Sequence, residues 1–264
     1  MATPHRDSAL TPLQIPGGKT VLIDNRIGSA DALSTIIAFA KSGREEGYTV
    51  ISDHTRDEEP NAEGVPRLHI CTLLRPGKHT DLAGVINAMG ALAVSHAIEH
   101  NSEARTAIRW LGDIHLERRR FSIRKPKRIA TVFSHSLLLP SGFLDYMILH
   151  AVIDMPPSRF PFRMVDAVAS VFTSRPITNA DHLTQAFLLD FFASYNGLLK
   201  APDTPPPALA EYRARSLLLD KRIRFRDGKK HRRGRVVDIT DKGALVIVSK
   251  KGRQFKIESQ YALS

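Results

Sequence analysis

Four prolines in seven residues, Ala201-Pro-Asp-Thr-Pro-Pro-Pro207, interrupt this chain where neither a helix nor a sheet can run through. Proline fixes φ and removes a backbone donor, so such a run is a stiff spacer. The charge divides at the same place. The whole chain carries 38 Lys+Arg against 27 Asp+Glu, net +11. From Glu211 to Ser264 there are 16 basic and 6 acidic residues, net +10, so everything before is nearly neutral. The expected organisation is a loose leader over 1–18, a large domain over 19–200, a linker over 201–210 and a basic domain over 211–264.

The large domain alternates short β-rich runs with helical patterns. Strands are expected at Thr20–Asp24, Tyr48–Ser52, Leu68–Leu74, Ala107–Trp110, Ile114–Leu116, Arg128–Leu139 and Phe143–Ile153. A helix begins near Ser29-Ala-Asp31 and is ended by Gly47, with Leu33, Ile36, Ile37 and Ala40 on one face. A second runs from Thr80 to His100, where Gly84 and Gly90 would let another element approach closely. Helical stretches follow around Val165–Phe172, Asp181–Leu199 and Ala208–Leu218. The fold class is α+β: a mixed or largely antiparallel sheet packed with helices.

After the spacer come strand patterns at Arg222–Arg226, Gly234–Ile239, Ala244–Ser249 and Gln254–Ile257. They are separated by Asp227-Gly228, Asp241-Lys-Gly243 and Lys251-Gly252, which is hairpin chemistry. Some fifty residues patterned this way suggest a small SH3-like barrel.

Composition excludes several classes. With 42% hydrophobic and 25% charged residues, the chain is neither disordered nor collagen-like. Cys71 is the one cysteine, which rules out an internal disulfide and a multi-cysteine zinc site and fits a reducing cytoplasm. No run approaches the ~18 apolar residues of a membrane span, and the N-terminus lacks a signal-peptide core.

Individual motifs carry less. Gly18-Lys19-Thr20 has Leu13 where a phosphate loop needs glycine. Asp113, His115 and His135 lack metal-ligand spacing, so no transition metal is expected. Cys71 lies mid-strand and reads first as a small core residue; as a nucleophile it would need a base beside it. The run Lys229-Lys-His-Arg-Arg-Gly-Arg235 reads first as a solvated charged face, with nucleic-acid binding the lesser reading for want of interleaved aromatics.

Three strings together resemble the biotin protein ligase family, and more weakly the lipoate ligases and octanoyltransferases. Ala107-Ile-Arg-Trp-Leu-Gly-Asp-Ile-His-Leu116 is similar to the family's V-K-W-P-N-D-I segment, with Trp110 and Asp113 matching. Lys127-Arg-Ile-Ala-Thr-Val-Phe133 resembles R-K-I-A-G-I-L. Tyr212 to Ile223, running into Gly234–Leu245, resembles the family's linker and SH3-like domain. Gly28-Ser-Ala-Asp31 is similar to the family's D-S-T-N helix start, with Ser29 on a ligand-contacting serine.

The resemblance implies formation of biotinyl-AMP from biotin and ATP with Mg²⁺, then transfer to a lysine of a biotin-carrier protein. It implies roles for Ser29, Trp110 and Asp154 in substrate binding, for Asp113 near Mg²⁺, and for Lys127 and Arg128 in neutralising the carboxylate–phosphate pair. Family dimers make a homodimer one expectation; no membrane partner is implied.

The ligand motifs depart from the family. Its G-R-G-R-R-G loop corresponds to the acidic Asp53–Gly64, which cannot cradle a triphosphate in the same way. The catalytic lysine falls on Arg128, after Lys127, and the following glycine is Thr131. G-x-G-I-N appears as His150-Ala-Val-Ile-Asp154. Three functions follow: a ligase for biotin or a related acid, a non-catalytic relative acting through its basic domain, or an acyltransferase using Cys71.

Overall fold

The computed structural model describes residues 10–26, 31–53, 67–77, 82–102, 104–117, 127–138, 144–155 and 180–258. The first 154 residues contribute β1 (Thr11–Ile15), β2 (Lys19–Asn25), α1 (Ala32–Lys41), β3 (Tyr48–Ser52), β4 (Arg67–Leu74), α2 (Ala83–His100), β5 (Thr106–Arg109), β6 (Asp113–Leu116), β7 (Arg128–Leu138) and β8 (Leu144–Asp154). The eight strands form one sheet in the order β1-β2-β3-β4-β8-β7-β6-β5. Only β2 and β3 pair in parallel, because α1 carries the chain back between them. Part of the expected leader is therefore β1, whose Thr11–Ile15 pairs antiparallel with Ile23–Lys19 around the glycine turn at 17–18.

Helix α1 starts where the sequence suggests. The Asp31 carboxylate accepts the Leu33 N–H at 3.0 Å and caps it. Its buried residues Ala32, Ile36 and Ala40 cover Val50, Cys71, Leu73, Tyr146 and Ile148 on one sheet face. The helix ends at Lys41, with the left-handed Gly43 just beyond; Gly47 instead sets up the turn into β3.

The opposite face packs against α2 and α3 (Ala180–Lys200). Helix α2 is buried almost all round. At Gly90 a Cβ would come within 2.9 Å of Leu149, so the glycine lets the helix settle onto β8. Helix α3 brings Phe187, Phe191, Phe192 and Tyr195, all fully buried. The expected helical stretch around Val165–Phe172 lies outside the described residues.

The spacer runs directly into α4 (Pro207–Ala214), with proline at its first position. Residues 215–217 then join the edge of the large sheet: the Ile108 N–H donates to Arg215 O at 2.9 Å and the Leu217 N–H to Ile108 O at 2.8 Å. An exposed edge strand needs such partners. The small sheet thus begins beyond Leu217.

Beyond it, β9 (Arg222–Asp227), β10 (Lys230–Ile239), β11 (Leu245–Ser249) and β12 (Gln254–Ile257) form an antiparallel meander. Its turns use Gly228, Gly243 and Gly252, all at positive φ, as the hairpin chemistry requires. The described residues make an open four-stranded sheet, not a closed barrel.

One ionic cluster joins α2, α3 and α4. His96 bonds through Nδ1 to Asp190 at 2.9 Å and through Nε2 to Glu211 at 2.8 Å. The hydrogen bond to Asp190, with that to Glu211, outweighs partial burial and raises the His96 pKa to about 9. Its folded pKa exceeds the ordinary value near 6.5, so its contribution is complete below that value and is lost as pH rises through about 9. Glu211 behaves oppositely: bonds to His96 and Arg215 lower its pKa against the opposing effect of burial, so its contribution fades in acid. Urea unfolding at pH 7 and pH 10 should show weaker stability at pH 10. His96→Ala should flatten that difference; an unchanged pH dependence would dismiss the cluster as its source.

Candidate functional site

The antiparallel order brings one end of three strands, β4, β7 and β8, together. β8 ends where β4 and β7 begin, and β6 lies beside β7. Arg67 opens β4, Lys127 precedes β7 and Arg128 opens it, Asp154 closes β8, and Asp113, on β6, stands opposite Thr131, a few residues inward. Five ionisable side chains from distant parts of the sequence therefore converge.

Their contacts are specific. Arg67 Nε donates to Asp154 Oδ1 at 3.2 Å. Arg128 stands 3.6 Å from Asp113 Oδ1, which also accepts the Thr131 hydroxyl at 3.0 Å. Burial raises the Asp154 carboxyl pKa, opposed by the charges of Arg67, Arg128 and Lys127. Among the described residues, three basic side chains thus face two carboxylates here.

Inward from this end, on the face α1 covers, the alternating residues are His69 on β4, His150 and Val152 on β8, and Thr131, Phe133 and His135 on β7. His69 Nδ1 and His150 Nε2 lie 3.1 Å apart and share a hydrogen bond. The His150 ring sits 4.5 Å from Phe133 and 6.0 Å from His135, centroid to centroid. Burial, and then the neighbouring imidazoles His69 and His135, lower the His150 pKa to about 3. Burial also lowers that of His135. A group whose conjugate acid is that strong is a poor general base at neutral pH. His150 and His135 fill this face with hydrogen-bonding edges and do not serve as bases.

The other expected residues fall elsewhere. Trp110 is buried on the α2 side of the sheet, and its indole donates to Gly243 O at 2.7 Å. It clamps the large domain to the β10–β11 turn and does not wall the charged cluster. Ser29 and most of the acidic loop, 54–66, lie outside the described residues. Lys19 is held by Glu46 and sits 5.1 Å from the centre of the Phe192 ring, a structural post for the lysine of the Gly-Lys-Thr string.

Cys71 is fully buried on β4 beneath α1. Burial, then the charge of Asp31, push its thiol well above the ordinary range. His150 is its cross-strand partner, yet no hydrogen bond joins the two. A thiol held protonated and out of solvent is not a nucleophile. The folded protein should react with an aromatic disulfide reagent at least about 100-fold more slowly than after unfolding in guanidinium. A native rate equal to a free thiol's would restore Cys71 as a candidate.

Sequence reasoning passes over Arg67 and Phe133. Arg67 follows a long polar loop and carries no motif; only the β4–β8 register sets it opposite Asp154.

Residues 218–259 match the family model of the biotin protein ligase C-terminal domain. No curated protein sequence matches the chain. Among solved structures, a biotin protein ligase from Aquifex aeolicus in complex with biotin and ATP superposes with a TM-score of 0.64 at 15% identity, covering 92% of this chain and 97% of that one. A biotin protein ligase-like protein of unknown function from Silicibacter superposes with a TM-score of 0.65 at 12% identity, covering 96% and 100%. A Leishmania major biotin protein ligase in complex with biotin gives 0.53 at 12% identity, covering 90% and 98%. At these identities the likeness establishes the fold.

Proposed function

We propose that this chain, which has the fold of the biotin protein ligases and carries their C-terminal domain, is an ATP-dependent ligase for a carboxylic acid smaller than biotin. In this reading the acid's carboxylate attacks the α-phosphorus of ATP and pyrophosphate leaves. A carrier lysine then takes the acyl group from the adenylate, releasing AMP and a proton. The observation that carries the reading is the meeting of Arg67, Lys127 and Arg128 with Asp113 and Asp154 at one end of the sheet. Two anions must be held together for in-line attack, and clustered cations lower that barrier.

Lys127 and Arg128 neutralise the carboxylate and the α-phosphate. Asp154 positions Arg67. Asp113 offers a hard carboxylate oxygen beside the phosphates, the kind of ligand Mg²⁺ takes together with substrate oxygens. The smaller acid follows from the floor. Thr131, His150 and Val152 stand where the motifs of the resembled family have glycine, so less space remains above the strands.

The experiment is ATP–pyrophosphate exchange with a panel of short-chain acids and biotin, alongside calorimetric titration of the same acids with and without ATP and Mg²⁺. A short acid should support exchange and bind more tightly with nucleotide, while biotin should do neither. Arg128→Ala should lower kcat/KM about 10²–10³-fold.

One observation favours a second reading. Arg67 and Arg128 each already have a carboxylate partner, as in a non-catalytic relative whose network only holds the strands. Acid binding without exchange, unaltered by Arg128→Ala, would establish that reading and overturn the first.

A further inference from the structure

The basic charge of the small domain is ordered. On β9, Arg222, Arg224 and Arg226 alternate outward and are exposed, while Ile223 and the fully buried Phe225 turn inward. On β10, His231, Arg233 and Arg235 are exposed on the outer side, while Gly234 and Val236 are buried. The antiparallel register sets them in three facing rungs: Arg222 opposite Arg235, Arg224 opposite Arg233, and Arg226 opposite His231. Arg232 points the other way, paired with Asp227 at 2.7 Å and lying 5.2 Å from the centre of the Phe255 ring.

Like charges directly opposite on neighbouring strands repel, with side chains about 5 Å apart. Native sheets usually interleave the opposite sign. Here the relief is slight: Arg235 pairs with Asp220 at 2.8 Å, both well exposed. Arg222, Arg224, Arg226 and Arg233 make no hydrogen bond or ion pair among the described residues. Five guanidinium groups thus stand on one flat face with most of their donors unused.

We propose that this β9–β10 face binds the phosphate backbone of nucleic acid, independently of base sequence. Three features select that polyanion. Alternate residues on a strand are about 7 Å apart, close to the step between successive phosphates on a nucleic-acid strand. Guanidinium is the side chain that grips phosphate with two parallel donors. The face carries no phenylalanine, tyrosine or tryptophan, and its one ring is the His231 imidazole at the end of the ladder, so it has no platform of interleaved aromatics to read bases. An acidic protein partner would need buried anchor side chains at its centre, and a membrane surface would need an apolar row to insert; this face has neither.

The test is fluorescence anisotropy of the full chain with labelled mixed-sequence duplex DNA across a range of KCl concentrations. Neutralising about three to five phosphates predicts a slope of log K against log salt of about −3 to −4.5, and affinity that does not change with sequence. Arg224→Gln with Arg233→Gln should reduce the slope by about 2, at about 1 for each phosphate-binding arginine removed. Lys41→Gln with Lys200→Gln, on α1 and α3, should leave it unchanged. Thermal unfolding controls for folding, and removing two crowded charges should not lower the midpoint. No binding, a slope unaltered in the ladder variant, or tighter association with anionic lipid vesicles or polyglutamate at equal ionic strength would each overturn the proposal.

Discussion

Truncating Phe191 to alanine is expected to lower the unfolding free energy by about 3–5 kcal/mol, the usual cost of emptying a large aromatic site. Phe191 is fully buried at the centre of the α3 aromatic group. Its ring stacks on Tyr195 with 5.5 Å between centroids and meets Phe192 edge-on at 5.3 Å. Tyr195 in turn donates its hydroxyl to Glu46 at 2.6 Å, tying α3 to the segment before β3. A cavity there loosens both the core and that tie. Domains of this kind have total stabilities of about 5–15 kcal/mol, so the loss is a large share. Urea denaturation measures it, and Phe191→Leu should cost clearly less. A change below about 1 kcal/mol would mean that α3 does not pack as described. The charged cluster lies on the other side of the sheet, so ligand binding by the folded fraction should persist.

The second large effect concerns the seam between the two sheets. Gly84 in the first turn of α2 faces Gly243 in the β10–β11 turn, and a Cβ on Gly84 would overlap the Lys242 carbonyl oxygen. Backbone cannot yield as a flexible side chain can. Gly84→Ala should therefore destabilise the protein by about 1–3 kcal/mol, as overpacking does. It should also push the turn away from Trp110, whose indole bonds to Gly243 O. Trp110 is the only tryptophan in the chain, so its fluorescence reports this seam directly. The emission of the folded variant should shift to longer wavelength as the indole meets water. An unshifted spectrum together with unchanged stability would show that the seam accommodates the methyl.

Much of the architecture is legible because it rests on local chemistry. The helix cap at Asp31 and the three glycine turns of the small domain each follow from a short-range steric or hydrogen-bonding demand. The motif strings likewise point to the fold that the structural likeness supports. Where local signals mislead, a distant partner sets the outcome. The segment 11–15 reads as loose because its partner β2 lies across a turn that polar composition disguises. Residues 215–217 fall within the helix expected over Ala208–Leu218, yet leave it after Ala214 and bond to β5, which offers unpaired backbone. Trp110 matches a ligand motif, yet its ring turns to the other side of the sheet, where Gly243 supplies the acceptor.

Residue type and near neighbours suffice for the division of charge, most of the described helices and strands, the turns, and the basic residues at the start of β7. They do not suffice to say which of those residues share a site; that came from the folded arrangement. Strand register sets Arg67 against Asp154, places His150 and Phe133 together, and aligns the arginines of β9 with those of β10. Register is fixed by burial of whole strand faces across a sheet, and no short string of residues carries that information.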